Sequence, residues 1–177
     1  MNKILRILCL VVYYGMARYL PSSQSRFMGG ASKLIRYFLC KRIFEECGNN
    51  VNVERKASFG NGSHIKIGDN SGLGINCSIP NNVQIGRDVM MAPNCVIFYQ
   101  NHETSRLDIP MNKQGATPPK QVVIDDDVWI GQNVLIMPGR HISIGTIIAA
   151  GTVLCKDFPE YSVVGGNPSK LIKSRIK

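Results

Sequence analysis

Histidine is scarce in this chain of 177 residues: only His64, His102 and His141 occur, and no two are closely spaced. A three-histidine metal site therefore has little to build on. The six cysteines, at 9, 40, 47, 77, 95 and 155, include no CxxC pair and no zinc-like Cys/His spacing. Long apolar runs are missing too. Ile7 to Tyr14 falls well short of the about 20 apolar residues that a bilayer-spanning helix needs. No small-residue cleavage site precedes Arg18, which counts against a signal peptide despite Lys3 and Arg6 before the apolar run. Acidic residues are few in one place only. Residues 1–56 hold ten Lys or Arg against three Glu, whereas 57–177 hold eleven against nine, within a formal net charge of +9. The basic bias thus belongs to the N-terminal segment. That argues against nucleic acid as a partner of the rest of the chain, and for a basic surface facing membrane phosphates or anionic ligands.

What is present is a globular composition, 44% hydrophobic and 19% charged, in a chain long enough for one cored domain and an appendage. Its organising feature is a period of six. Ile67, Leu73, Ile79, Ile85, Met91 and Ile97 are spaced six apart, and so are Ile124, Ile130, Ile136, Ile142, Ile148 and Leu154. Strand side chains alternate between faces, so a short flat strand followed by a corner makes one side of a prism. Three sides make a coil of three hexads whose apolar position points inward, the hallmark of a solenoid. Gly68, Gly74, Gly86 and Gly131 directly follow apolar positions, where a tight corner wants no Cβ. Asn70, Asn76, Asn82, Asn94 and Asn133 lie three positions after them, and Asn tolerates the left-handed backbone region. A second inward column is expected to run through Ser71, Cys77, Val83, Val89 and Cys95, with Val53, Phe59 and Ile65 in phase with it. Cys77 and Cys95 then read as small core fillers, and free cysteines suit a reducing compartment.

The interval from Ile97 to Ile124 is not a multiple of six. The stretch Gln100–Lys120 must therefore bulge from the prism, and Pro110, Pro118 and Pro119 oppose regular structure within it. It carries His102 near its start, flanked by the polar Asn101 and Glu103. Upstream of the prism, Ile4, Leu8 and Val11 or Val12 share a helical face, and Pro21–Gly30 reads as a linker. This segment reads in two ways, as a helical cap on the end of the solenoid or as a helix lying in a membrane surface. The expected organisation is a helical segment over 1–46, a β-helix over 47–158 with the loop 100–120 extruded from it, and a basic tail over 159–177.

The stretches VVIDDDVWIGQNVLIMPG (122–139) and IIAAGTVLCKDFPEYSVVGGNPSKLIK (147–173) resemble the C-terminal signature of the hexapeptide-repeat acyltransferases, in the branch of galactoside, maltose and capsule or O-antigen sugar O-acetyltransferases. The resemblance covers about residues 47–173. It implies a left-handed parallel β-helix, a homotrimer with active sites between subunits, acetyl-CoA as donor and a sugar hydroxyl as acceptor in surface-polysaccharide assembly. It implies His102 as catalytic base, with Asn76 and Asn101 toward the acceptor. Trp129, Ala150, Lys156, Lys170 and Lys173 are implied to meet the coenzyme, with no metal required. Asp125, Ser143 and Ala149 stand where the repeat prefers glycine, and Cys155 replaces a usual threonine.

The chemistry agrees with those assignments. A neutral alcohol is a poor nucleophile, and imidazole titrates near neutrality, so it can take the hydroxyl proton and later return it to the departing thiolate. A loop histidine is often merely solvated; its place at the exit of the repeat favours the base. His64 and His141 are expected to be structural or solvent-facing, and Asp125, Asp126 and Asp127 to form a polar corner, since successive strand residues point to opposite sides. Acetyl-CoA places the chemistry in the cytoplasm, with the inner face of the membrane as a further partner. Rival acceptors are a xenobiotic alcohol such as chloramphenicol, serine, or a nucleotide-linked amino sugar. A non-catalytic binding scaffold on the same repeat is the reading outside enzymes.

Overall fold

The structure, a computed structural model, describes residues 3–176. Two-residue strands stack into three parallel faces. Face one stacks Glu46–Cys47, Lys66–Ile67, Gln84–Ile85, Val123–Ile124 and His141–Ile142. Face two stacks Asn52–Val53 on Gly72–Leu73, then Met90–Met91, Trp129–Ile130 and Ile147–Ile148. Gly72 N–H joins the two parts of face two by donating to Val89 O at 3.0 Å. Face three runs through Ser58, Ser78, Val96–Ile97, Leu135–Ile136 and Val153–Leu154. The pairing of Lys66 with Gln84 sets the coil at three hexads, and the apolar residue of each hexad is buried along the axis. The chain is thus an all-β solenoid preceded by helices.

The first coil departs from the expected phase. Val53 pairs with Leu73, not with Ser71, and Glu46 pairs with Lys66, so this coil is longer than those that follow. The extra length enters near Gly60 and Gly62, both with positive φ. Val53 and Phe59 therefore belong to the column of Leu73 and Ile79, and only Ile65, after the insertion, joins the column of Val83. Of the asparagines expected in the left-handed region, Asn70, Asn76, Asn94 and Asn133 are there and Asn82 is not. Their amides form ladders up the corners: Asn76 Nδ2 donates to Asn94 Oδ1 at 3.0 Å, and Asn94 Nδ2 to Asn133 Oδ1 at 3.1 Å.

The glycine after an apolar position is required by the next coil rather than by φ. A Cβ on Gly74 would sit 2.3 Å from Ala92 O, a backbone atom that cannot swing aside. Gly74→Ala is expected to destabilise the chain by about 1–3 kcal/mol, the usual cost of forcing atoms into a packed interior. A denaturant titration checks it, and an unchanged midpoint would show that the coils slide apart freely.

Residues 159–177, expected as a tail, carry two strands. Ser162–Gly165 pairs in parallel with Ile147–Ile148, and Lys170–Ser174 returns antiparallel on it, extending face two. At the other end, α1 (Lys3–Gly15) and α2 (Gly29–Ile43) pack on the first coil. Tyr13 OH donates to Ala57 O at 3.0 Å and Tyr14 OH to Gly60 O at 2.8 Å. Phe59 is buried between the rings of Tyr13 and Phe44, at centroid distances of 4.5 and 4.8 Å. Arg36 of α2 is fully buried: its Nε donates to Val53 O, one terminal nitrogen to Pro21 O at 3.0 Å, and the other lies 3.5 Å from Glu54 Oε2.

Candidate active site

The excursion after face three is a ribbon without regular strands, tied across by a few hydrogen bonds. Lys120 N–H donates to Tyr99 O at 2.6 Å and closes its neck. Thr117 N–H donates to Asn101 O at 2.8 Å, and Asn101 N–H to Thr117 Oγ1 at 2.9 Å. His102 pairs with Ala116 in an antiparallel bridge. The ribbon turns through a 3₁₀ turn at Met111–Lys113, where Pro110 starts the turn, and Gln114 ties the two limbs by accepting from Arg106 N–H at 3.0 Å. The stretch with Pro110, Pro118 and Pro119 thus forms no regular strand, as expected, and these cross-ties hold its limbs together. His102 is exposed, and among the described residues no side chain pairs with its imidazole.

A recess of about 390 Å³ lies on face two, where the outward residue of the hexad shrinks to Gly72. Ser23 and Gln24 of the segment between the helices form one wall, Asn52 and Glu54 another, and Met90 and Pro93 part of the rest. Burial raises the Glu54 carboxyl, but hydrogen bonds from the Ser23 hydroxyl, the Arg55 and Ser23 amides and Asn52 outweigh it and hold the group below the usual carboxylate range. None of the residues lining the recess comes from the ribbon. Sequence reasoning missed this recess because one of its walls, Ser23 and Gln24, lies outside the repeat and nothing in the period shows that this segment folds over face two.

The other expected site residues fall into two groups. Asn76 is exposed next to the recess, its amide donating to the asparagine ladder, while Gly74 and Ile75 line the cavity. Trp129 stands outward on face two at 50% exposure, in register between Met90 and Ile147. Ala150 is exposed on the corner beyond it, against Gly131 of the coil below. Lys156 Nζ sits 5.4 Å over the Phe158 ring. Lys170 and Lys173 are exposed on the final strand, and neither pairs with a carboxylate among the described residues. Lys156, Lys170 and Lys173 thus follow the last hexads, while His102 stands on a separate projection.

The three consecutive aspartates form a polar corner, with Asp127 at positive φ, and go to three different partners. Asp125 takes His141 Nε2 at 3.0 Å, Asp126 takes Arg87 at 2.7 Å, and Asp127 lies 3.5 Å from Arg175. The Asp126 carboxyl is held low by the Arg87 amide and guanidinium. Among the described residues no group of three ligating side chains could hold a metal.

The profile of the family described as "Bacterial transferase hexapeptide (six repeats)" matches residues 64–98. The galactoside O-acetyltransferase of Escherichia coli K12 is 34% identical over 140 residues, spanning 78% of this chain and 68% of that protein. Among solved structures, the hexapeptide-repeat containing acetyltransferase VCA0836 of Vibrio cholerae superposes with a TM-score of 0.77 at 28% identity, covering 97% of this chain and 91% of the other. A galactoside acetyltransferase in complex with coenzyme A gives 0.75 at 28% identity, covering 98% and 84%.

Proposed function

The chain belongs to the hexapeptide-repeat acetyltransferases, and on that premise we propose that it moves an acetyl group from acetyl-CoA to a sugar hydroxyl at sites shared between three copies. The observation that carries the shared site is the division of labour among the faces. The outward positions of face one are mostly polar, Glu46, Lys66, Gln84 and His141. In the later coils those of face two are Met90, Trp129, Ile147 and Val163, and those of face three Val96, Leu135 and Val153, whereas the first coils place Asn52 and Gly72, and Ser58 and Ser78, at these positions. Met90 and Trp129 are exposed and the others half-buried, and apolar stripes of this kind favour coverage by a neighbour. Face two of one copy against face three of the next is a head-to-tail contact, which forms a closed ring of three when each copy is turned by a third of a circle. The ribbon leaves the end of face three and the recess opens on face two, so that contact carries His102 toward a neighbour's recess.

In this arrangement the acceptor lies in the recess, with Asn76 and Asn101 at its edges. His102 takes the hydroxyl proton as the oxygen bonds to the thioester carbonyl carbon. The C–S bond then breaks, and the proton passes to the departing thiolate, giving an O-acetyl ester and free CoA. Lys156, Lys170 and Lys173 meet the CoA phosphates, and Trp129 and Ala150 border its path. Residues 161–177 carry no Asp or Glu, which favours a polyanion there. A CoA donor places the reaction in the cytoplasm, and surface-polysaccharide assembly is the setting that the sugar acceptor suggests.

Two measurements test the proposal. Thiol release from acetyl-CoA is expected to depend on an added sugar, with the product an ester by NMR. Activity confined to amine acceptors, or no acceptor-dependent release, would remove O-acetylation. Light scattering is expected to return three times the chain mass, and an active monomer would remove the shared site.

A further inference from the structure

The N-terminal helices show a second apolar surface that packing on the solenoid does not use. The inner side of α1 buries Cys9 and Tyr13 against the first coil and α2. Its outer side presents Ile4, Ile7, Leu8 and Val11, at the i, i+3, i+4, i+7 spacing of one helical stripe, with Ile4 68%, Leu8 55% and Val11 65% exposed. A helix side that faces water normally carries charge, yet this one is apolar on both sides. Leu34 and Phe38 of α2, one turn apart, are also exposed. Residues 3–44 contain eight Lys or Arg and no Asp or Glu. Of the eight, Arg36 is consumed by Glu54, while Lys3, Arg26, Lys41 and Arg42 are exposed.

We propose that the outer side of α1 docks in the plane of an anionic phospholipid surface, with exposed cations of the same segment on the headgroups, Lys3 and Lys41 lying together at one end beside Glu45. An apolar stripe beside cations matches the two layers of such an interface. The 13 residues of α1 span only about 20 Å, against a hydrocarbon core of about 30 Å, and among the described residues no helix is long and apolar enough to cross a membrane. The helix therefore lies on the bilayer instead of spanning it. A second copy is the poorer occupant, because a self-complementary contact between two such surfaces would bring like charges together. A head-to-tail ring of prisms with parallel axes would set three α1 helices at one end, where they act together. That multiplication rests on the trimer of the proposed function; docking by a single chain does not.

The test uses the full chain with vesicles of phosphatidylglycerol and phosphatidylcholine, against phosphatidylcholine alone, at low and physiological salt. Co-sedimentation with the anionic vesicles is expected, weakening with salt, each basic residue adding about fivefold to affinity. The variant Leu8→Asn/Val11→Asn removes apolar contact without changing charge and is expected to bind at least about tenfold more weakly. Both positions are exposed, so its mass and melting temperature should match the parent. Full-length protein that ignores anionic vesicles at low salt overturns the proposal. So does undiminished binding of the double variant, or a concentration-dependent doubling of mass that the variant abolishes. Acetyl transfer to a soluble sugar by the parent chain separates the two readings: no vesicle binding by the parent with turnover intact sinks docking alone, and no turnover with vesicle binding intact sinks the acetyltransferase reading alone.

Discussion

His102→Ala is expected to lower turnover by about 10²–10⁴-fold, the usual worth of a positioned general base, while CoA affinity and assembly mass stay as they are. The expectation of an intact fold comes from the local geometry. The imidazole is exposed and has no partner among the described residues, and what holds position 102 is a backbone bridge to Ala116 that alanine keeps. The neck bonds at Tyr99–Lys120 and Asn101–Thr117 are likewise untouched. The loss should fall on kcat with little change in the acceptor KM, since the base acts on the proton only as the carbonyl is attacked. A variant within about tenfold of the parent, below the range for general-base help, would take His102 out of the chemistry. A rise in KM at constant kcat would make it a binding residue instead.

How far the sequence reveals such a site depends on whether the responsible residues repeat. The hexad columns are legible because each inward residue meets its counterpart one coil on, as Ile67 meets Ile85, so a packing requirement is copied coil after coil. The ribbon is legible as an exception, because the stretch between Tyr99 and Gln121 spoils the count. The phase of the first coil is misread because Val53 looks like Val83 and Val89 of the second column, although it stacks on Leu73 of the first. Nothing in Val53 or Phe59 then tells one column from the other, and the insertion around Gly60 and Gly62 goes unseen. The ribbon's pairing is hidden for a different reason: its bonds join Asn101 to Thr117 and Arg106 to Gln114 without any repeated pattern. In α1 the stripe of Ile4, Leu8 and Val11 is correctly placed on one side, but periodicity cannot say whether that side faces the core. Cys9 and Tyr13 win the inner position because Tyr13 can reach Ala57 O and stack on Phe59. Arg36 stands among apolar residues in the sequence, between Ile35 and Tyr37. It is buried because Glu54, from the first coil, and the Val53 and Pro21 carbonyls supply its partners.

That buried pair carries the other large effect. Glu54→Ala is expected to destabilise the chain by about 3–5 kcal/mol, because it strands a buried guanidinium without its counter-charge. Set against total stabilities of about 5–15 kcal/mol, this is a severe loss, equivalent to a melting temperature roughly 6–20 °C lower in a chain of this size. Removing both charges together, as Arg36→Met with Glu54→Gln, is expected to recover most of it: Gln can still accept from Ser23, and Met fills apolar space. The pH dependence has a definite sign. The folded Glu54 carboxyl titrates below the usual carboxylate range, so its contribution is complete above the unfolded value of about 4.3. It is lost as pH falls through the lower folded value. The Glu54→Gln variant lacks this titration, so its melting temperature should fall less in that acid window than the parent's. Thermal melts of the parent, Glu54→Ala, Glu54→Gln and the double variant between neutral and acid pH read all of this. A Glu54→Ala melting temperature equal to the parent's would mean that solvent reaches Arg36 and that the pair does not hold the helices on the first coil.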